Sequence, residues 1–233
     1  AENPRLNLEA EQQGRSFDDI RAAARRTWND DLGRIRVEGG TEAQKKVFYT
    51  GLYHALIHPN VLSDVNGEYP AMESAEIRTA EGNRYTVFSL WDTYRNLHQL
   101  LTLVYPERQL EMVRSMVGMY REWGWLPKWE LYGRETFTME GDPSIPVIVD
   151  TWMKGLRDFD MDAAYEAMRK SATTPGARNR MRPDIDPYIE KGYVPLGFYA
   201  RDLSGDNSVS HALEYYIADH ALSLLADSLG KKD

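Results

Sequence analysis

The chain has 233 residues, no cysteine, and 28 basic against 36 acidic side chains, a net charge of −8. That length can bury a sizeable core in one domain. Zero cysteine excludes disulfides, thiolate metal sites and cysteine nucleophiles. Net negative charge without a basic stretch argues against a nucleic-acid partner, and no apolar run approaches the roughly 18 residues of a membrane helix.

Helical periodicity dominates the chain. From Ser16 to Leu32 the residues Phe17, Ile20, Ala24, Trp28 and Leu32 recur every three or four positions, with Ser16 as N-cap and Gly33 as the stop. Thr41 and Gln44 form a capping-box pattern, opening a helix over 41–57 with Val47, Phe48, Leu52, Ala55 and Leu56 on one face. Residues 59–88 carry turn formers, and Asn66-Gly67 suggests a short hairpin. Helices are expected over 90–104 and 107–122, separated by Pro106, with Leu110, Val113, Val117 and Tyr120 facing one way. Residues 124–144 hold three Gly and two Pro and read as a second long loop. Further helices are expected over 145–155, over 161–171 behind an Asp160 cap, and over 208–229 with Val209, Leu213, Ile217, His220 and Leu224 inward. The stretch 173–207 reads as loop-rich, with at most one helical turn over 188–192. The pattern is all-α, with under about a tenth strand. Helix pairs joined by long loops suggest concentric α/α layers whose loops gather on one face.

Two segments carry the chemistry. In Phe88-Ser-Leu-Trp-Asp-Thr-Tyr-Arg95, an Asp beside a Trp at a helix start can accept sugar hydroxyls while the indole stacks on a pyranose. The same residues could simply cap a helix and fill the core. In Trp129-Glu-Leu-Tyr-Gly-Arg-Glu-Thr136, Glu130 and Glu135 share one loop with Trp125, Trp129 and Tyr132. Two carboxylates with aromatic walls suit glycan binding or glycoside hydrolysis. One of them could equally pair with Arg134 or Lys128. His54 and His58 share a helical face, yet no third zinc ligand is evident. There is no phosphate loop and no GxGxxG or GxSxG.

At these segments the chain resembles the catalytic region of glycoside hydrolase family 92, bacterial exo-acting α-mannosidases. The stretches that carry the resemblance are VEGGTEAQKKVFYTGLYHALIHPNVLSDVNGEY (37–69), YTVFSLWDTYRNLHQLLTLVYPER (85–108) and GWLPKWELYGRETFTMEGDPSIPVIVDTWMKGLRDFD (124–160), then KGYVPLG (191–197) and SVSHALEYYIADHALSLLADSLGK (208–231). The resemblance implies a β-sandwich followed by an (α/α)6 toroid, release of terminal α-linked mannose with inversion, and a requirement for calcium. It implies that Trp91, Asp92, Arg95, Trp129, Glu130 and Glu135 line the sugar pocket, and that the protein meets mannose-containing glycans in the periplasm or outside the cell. The chain departs from the family's G-N-E-T and G-x-H-S at Gly133-Arg-Glu-Thr136 and Gly141-Asp-Pro-Ser144, which leaves linkage specificity open.

The family's general acid and base belong to motifs not found here, and the β-sandwich is missing. The expectation is therefore one helical domain, 1–233, forming the N-terminal part of an incomplete toroid. It would carry part of the pocket but no catalytic residue, with the calcium ligands mostly elsewhere. Its bare apolar faces would meet the rest of the enzyme or a second copy, over a patch above roughly 600 Å². The opening AENPRLNLEA is not expected to act as a cleavable signal. The alternatives are a catalytically silent glycan-binding module and a helical domain that only binds a partner.

Overall fold

The computed structural model describes residues 2–197 and 207–231. Within them the order is α1 (Asn3–Gln12), α2 (Phe17–Leu32), α3 (Glu42–Ala55), β1 (Asn60–Val61), β2 (Glu68–Pro70), β3 (Ile77–Thr79), β4 (Tyr85–Thr86), β5 (Phe88–Ser89), α4 (Leu90–Thr93), α5 (Leu97–Val104), α6 (Pro106–Trp123), β6 (Trp129–Leu131), β7 (Arg134–Glu135), α7 (Ser144–Met153), α8 (Met161–Thr173), α9 (Ile185–Lys191) and α10 (Ser208–Ser228). Helix predominates, and the strands of two or three residues pair only as β1–β4, β2–β3 and β5–β6–β7. Of the loop-rich stretch 173–207, residues 198–206 lie outside the described residues.

Local chemistry sets several boundaries. Ser16 and Asp19 form a reciprocal capping box at α2, as Thr41 and Gln44 do at α3. Asp160 accepts from the Ala163 N–H and starts α8. Gly124, left-handed at φ 93°, ends α6.

The core gathers around α6. Met112, Val113, Met116, Val117 and Met119 are buried there against α5, α7 and α8, which contribute Leu101, Ile145, Ile148, Ala164, Ala167 and Met168. The irregular 59–88 segment is pinned onto the end of α6 by a buried bidentate ion pair. Arg84 donates to Glu122 at 3.0 and 2.9 Å, and Glu122 also accepts from the Tyr69 hydroxyl and the Met72 N–H. A Cβ at Gly118 would stand 2.7 Å from the Arg84 guanidinium, so any larger residue there would force this pair to shift.

Several expectations are corrected. The 90–104 helix breaks into α4 and α5, with Asn96 in non-helical backbone at φ −156° between them. The hairpin joins β2 to β3 through residues 71–76, and Asn66-Gly67 lies before it. α1 and the full seven residues of α9 exceed what the sequence suggested. On α10 the inward face carries His211, Ala212, Tyr215, Ala218, Leu225 and Ala226, while Val209, Leu213, Ile217, His220 and Leu224 are exposed. The reason is packing distance: α10 lies against α7, and alanines permit close approach where branched chains do not. Apolar residues surround α10 on every side, so periodicity alone could not choose the face. On α2 and α3, Phe17, Ile20, Val47 and Phe48 are likewise exposed.

Candidate functional site

The two chemistry-bearing segments meet as neighbouring strands. β5 pairs antiparallel with β6, Phe88 opposite Glu130 and Ser89 opposite Trp129. The Leu90 N–H donates to the Lys128 carbonyl at 3.2 Å and continues the contact. α4 springs directly from this sheet, so Trp91 and Asp92 follow within three residues of Ser89, the register partner of Trp129.

Asp92 is exposed, its carboxylate accepting from the Ser89 hydroxyl within the first turn of α4. It is not the N-cap, a position Ser89 occupies. Trp91 and Trp129 are half-buried, and both indole N–H groups are buried without an acceptor among the described residues. The Arg95 guanidinium lies 5.0 Å from the Trp91 ring centre and 4.8 Å from that of Tyr94. It donates to the Tyr94 hydroxyl at 3.0 Å and to Glu214 of α10 at 2.8 Å. Burial, reinforced by the bond to Glu214, pushes the Tyr94 phenol up to about 12.

Glu130 and Glu135 are brought to the same sheet but are not presented to a ligand. Glu130 is 0 % exposed and accepts from the Thr86 hydroxyl, the Val87 N–H at 3.0 Å and the Gly133 N–H at 2.6 Å. Glu135 accepts from the N–H groups of Lys128, Trp129 and Phe137. Their oxygens bond the backbone of this sheet and its flanking loop, so both carboxylates are engaged within the fold. Burial raises both pKa values, against the opposing pull of these hydrogen bonds. Arg134 turns to Glu73 rather than to either of them.

The loops around this sheet are strained. Val87, Tyr132, Phe137, Met139 and Glu73 all take positive φ, between 49° and 65°, with side chains that disfavour it. Tyr132 and Gly133 are the central pair of the β6–β7 turn, where both positions require that conformation. Strain of this kind persists where surrounding structure over-determines it, and it concentrates at functional sites.

Beneath the 124–144 loop lies a buried charge network. The Lys128 ammonium donates to the Met181 carbonyl at 2.7 Å, Arg182 to Asp142 at 3.0 Å, and Arg182 stands 2.7 Å from Asp219. The Tyr215 hydroxyl donates to Asp184 at 2.7 Å. Burial lowers the Lys128 pKa, opposed by the charges of Asp142, Glu135 and Asp184. This network ties the loop to α9 and α10 and fixes the height of the sheet above the core.

Ser89 and Tyr94 lie within the Phe88–Arg95 segment but were not singled out, and neither chemistry-bearing segment contains Thr86 or Glu214. Glu214 lies 119 positions from Arg95 and joins it only through the closure of the fold. Among the described residues no three Asp, Glu or His side chains gather as a metal site. No described helix is long and apolar enough to cross a membrane.

A family model of the glycosyl hydrolase family 92 catalytic domain matches residues 3–233. The chain superposes on a family GH92 α-mannosidase of Bacteroides thetaiotaomicron with TM-score 0.89 and 35% identity, covering 99% of this chain and 30% of that one. The same mannosidase in complex with mannoimidazole gives TM-score 0.87 and 34% identity, over 99% and 29% of the two chains. An inverting family GH92 mannosidase of Bacteroides thetaiotaomicron VPI-5482 gives 0.88 and 32%, over 99% and 31%. An uncharacterized secreted glycosidase of Arthroderma benhamiae is 27% identical over 223 residues, 93% of this chain and 24% of that protein. The chain thus spans under a third of the length of each of these relatives.

Proposed function

The chain belongs to glycosyl hydrolase family 92, and from that premise we propose that it forms one wall of a pocket in which terminal α-linked mannose is removed from glycans with inversion. Residues 1–233 are read as a single helical domain, the N-terminal part of an (α/α)6 toroid. The observation that carries this reading is the junction of β5 with β6, which pairs Ser89 with Trp129 and starts from the same sheet the helix that carries Trp91 and exposed Asp92. The mannoimidazole complex of the Bacteroides relative and the inverting character of its second relative support the choice of sugar and of stereochemistry.

The chemistry assigns each group a part. Inverting hydrolysis needs an acid on the leaving oxygen and a base on water, about 6.5–9.5 Å apart. Glu130 and Glu135 supply neither, since their oxygens are committed to backbone N–H groups. In the proposed scheme the acid and base come from elsewhere in the protein, as do calcium ligands, and this stretch binds and orients the sugar. Asp92 accepts from a hydroxyl, Arg95 donates to one, Trp129 flanks the ring, and Trp91 backs the Arg95 guanidinium. The substrate is a glycan met in the periplasm or outside the cell.

The test is kinetic, on the complete polypeptide. Losing a charge-assisted bond from Asp92 to a sugar hydroxyl costs about 1.5–3 kcal/mol, or roughly ten- to a hundredfold in kcat/KM for Asp92→Ala. Asp158→Ala, which removes an exposed partner of Arg114, should leave kcat/KM within about twofold. Equal activity of Asp92→Ala and wild type would return Asp92 to a purely local role in α4.

A further inference from the structure

Arg95 is held by a closed ring of hydrogen bonds. Its guanidinium donates to Glu214 Oε1 at 2.8 Å and to the Tyr94 hydroxyl at 3.0 Å, and that hydroxyl donates to Glu214 Oε2 at 2.7 Å. Each oxygen of Glu214 is therefore used, and the carboxylate has two fixed donors. Its side chain is only 12 % exposed, while that of Arg95 is 46 % exposed. Glu214 is also seated tightly from behind. A Cβ at Gly141 would come within 2.6 Å of the Glu214 Cβ, and Gly141 itself stands at φ +75°.

This ring decides what the site offers. A guanidinium has five N–H donors in a rigid fork, and the ring consumes two of them. The remainder belong to a half-exposed group on the same short helix as Asp92. Meanwhile the guanidinium covers a face of Trp91 at 5.0 Å. Left free, a long arginine would sample many rotamers, and ordering it on binding costs free energy. Glu214 removes that cost in advance.

We infer that Glu214 is a positioning residue of the sugar wall: it locks Arg95 over the Trp91 indole, so that a guanidinium edge beside the Asp92 carboxylate, rather than the covered indole face, meets the ligand. A fixed donor next to a fixed acceptor matches a vicinal diol of a pyranose, one hydroxyl accepting from Arg95 and its neighbour donating to Asp92. Glu214 touches no substrate and acts through Arg95. The inference rests on the reading of Trp91, Asp92 and Arg95 as part of the mannose pocket.

The experiment is a double-mutant cycle in the complete polypeptide, assayed on an α-linked mannobiose. Glu214→Gln keeps the shape of the side chain but removes its charge. It should lower kcat/KM at least tenfold at a temperature where the variant remains folded. Arg95→Ala should lower it by a similar or larger factor, and Glu214→Gln added to Arg95→Ala should then change it less than twofold. A clamp that serves stability alone would lower Tm in both backgrounds and leave kcat/KM unmoved. Should Glu214→Gln not fold, Arg95→Lys replaces it: lysine keeps the charge without the fork and should show the same tenfold loss. Wild-type-like kcat/KM for Glu214→Gln, or for Arg95→Lys, alongside an impaired Asp92→Ala overturns the role of Glu214 and leaves the mannosidase reading standing. An effect of Glu214→Gln that persists undiminished without Arg95 overturns it as well. Absence of hydrolysis by the wild type overturns both.

Discussion

Glu130 and Glu135 are register partners across the β6–β7 hairpin, yet their carboxylates serve two separate sets of backbone donors. One fixes the turn and the strained Val87, the other fixes the strand entry at Lys128 and Trp129. Replacing either by Ala leaves buried N–H groups unpaired, and each variant should lose about 2–4 kcal/mol in urea unfolding. The pH dependence has a definite sign. Both carboxyls have folded pKa values raised by burial, so the folded state binds more protons than the unfolded state just above the ordinary glutamate value. Their contribution is present below the unfolded pKa and is lost as pH rises through the folded one. Unfolding profiles of wild type and Glu135→Gln should therefore converge at low pH relative to pH 7. Parallel profiles would refute the shift.

His98 should act in the opposite direction. It is buried between Thr93 Oγ1 at 3.1 Å and Gln109 Oε1 at 2.9 Å, and burial pushes its imidazole down to about 4. The neutral form belongs to the fold. Its contribution is complete above the unfolded value near 6.5 and is lost as pH falls toward 4, a change of about 3 kcal/mol at the full shift. Urea midpoints measured from pH 7.5 to 4.5 should fall in wild type and fall less in His98→Gln. Identical slopes would remove His98 from the pH response.

Gly141→Ala meets two penalties at once, a left-handed φ of +75° and a Cβ 2.6 Å from that of Glu214. A thermal melt should show a loss of about 2 kcal/mol or more. The open site Gly155, also left-handed but with nothing within 4 Å, should lose less on the same substitution. Equal losses would mean that Gly141 is required for its φ alone.

The exposed face of α10, with Val209 at 70 % and Leu213 at 55 % exposure alongside Ile217 and Leu224, exceeds what isolated surface residues display. Residues 1–233 produced alone should self-associate at tens of micromolar in sedimentation velocity. Leu213→Ser combined with Ile217→Ser should raise the monomer fraction. A clean monomer for the unmodified stretch would contradict this expectation.

The helices were legible wherever a cap and a periodic face coincided, as at Ser16–Asp19 and Thr41–Gln44. α10 was legible as a helix but not in orientation, because alanines on one side and branched chains on the other are both apolar. The meeting of FSLWDTYR with WELYGRET was legible as two loops gathering on one face, but not as paired strands. Their β5–β6 pairing depends on backbone bonds that carry no side-chain signature. That the oxygens of Glu130 and Glu135 accept from backbone N–H groups was not legible, since nothing in a sequence says whether a carboxylate faces solvent or its own backbone. Glu214 was invisible because its partners Tyr94 and Arg95 are distant along the chain and adjacent only once α10 packs.

The most direct measurement is proton NMR of α-linked mannobiose mixed with the complete polypeptide, with the anomeric signals followed from the first seconds. Mannose released first as the β-anomer, at a rate reduced at least tenfold in Asp92→Ala, is the expected result. Release of the α-anomer first would contradict inversion, and no release at all would contradict assignment of this stretch to a mannose-cleaving pocket.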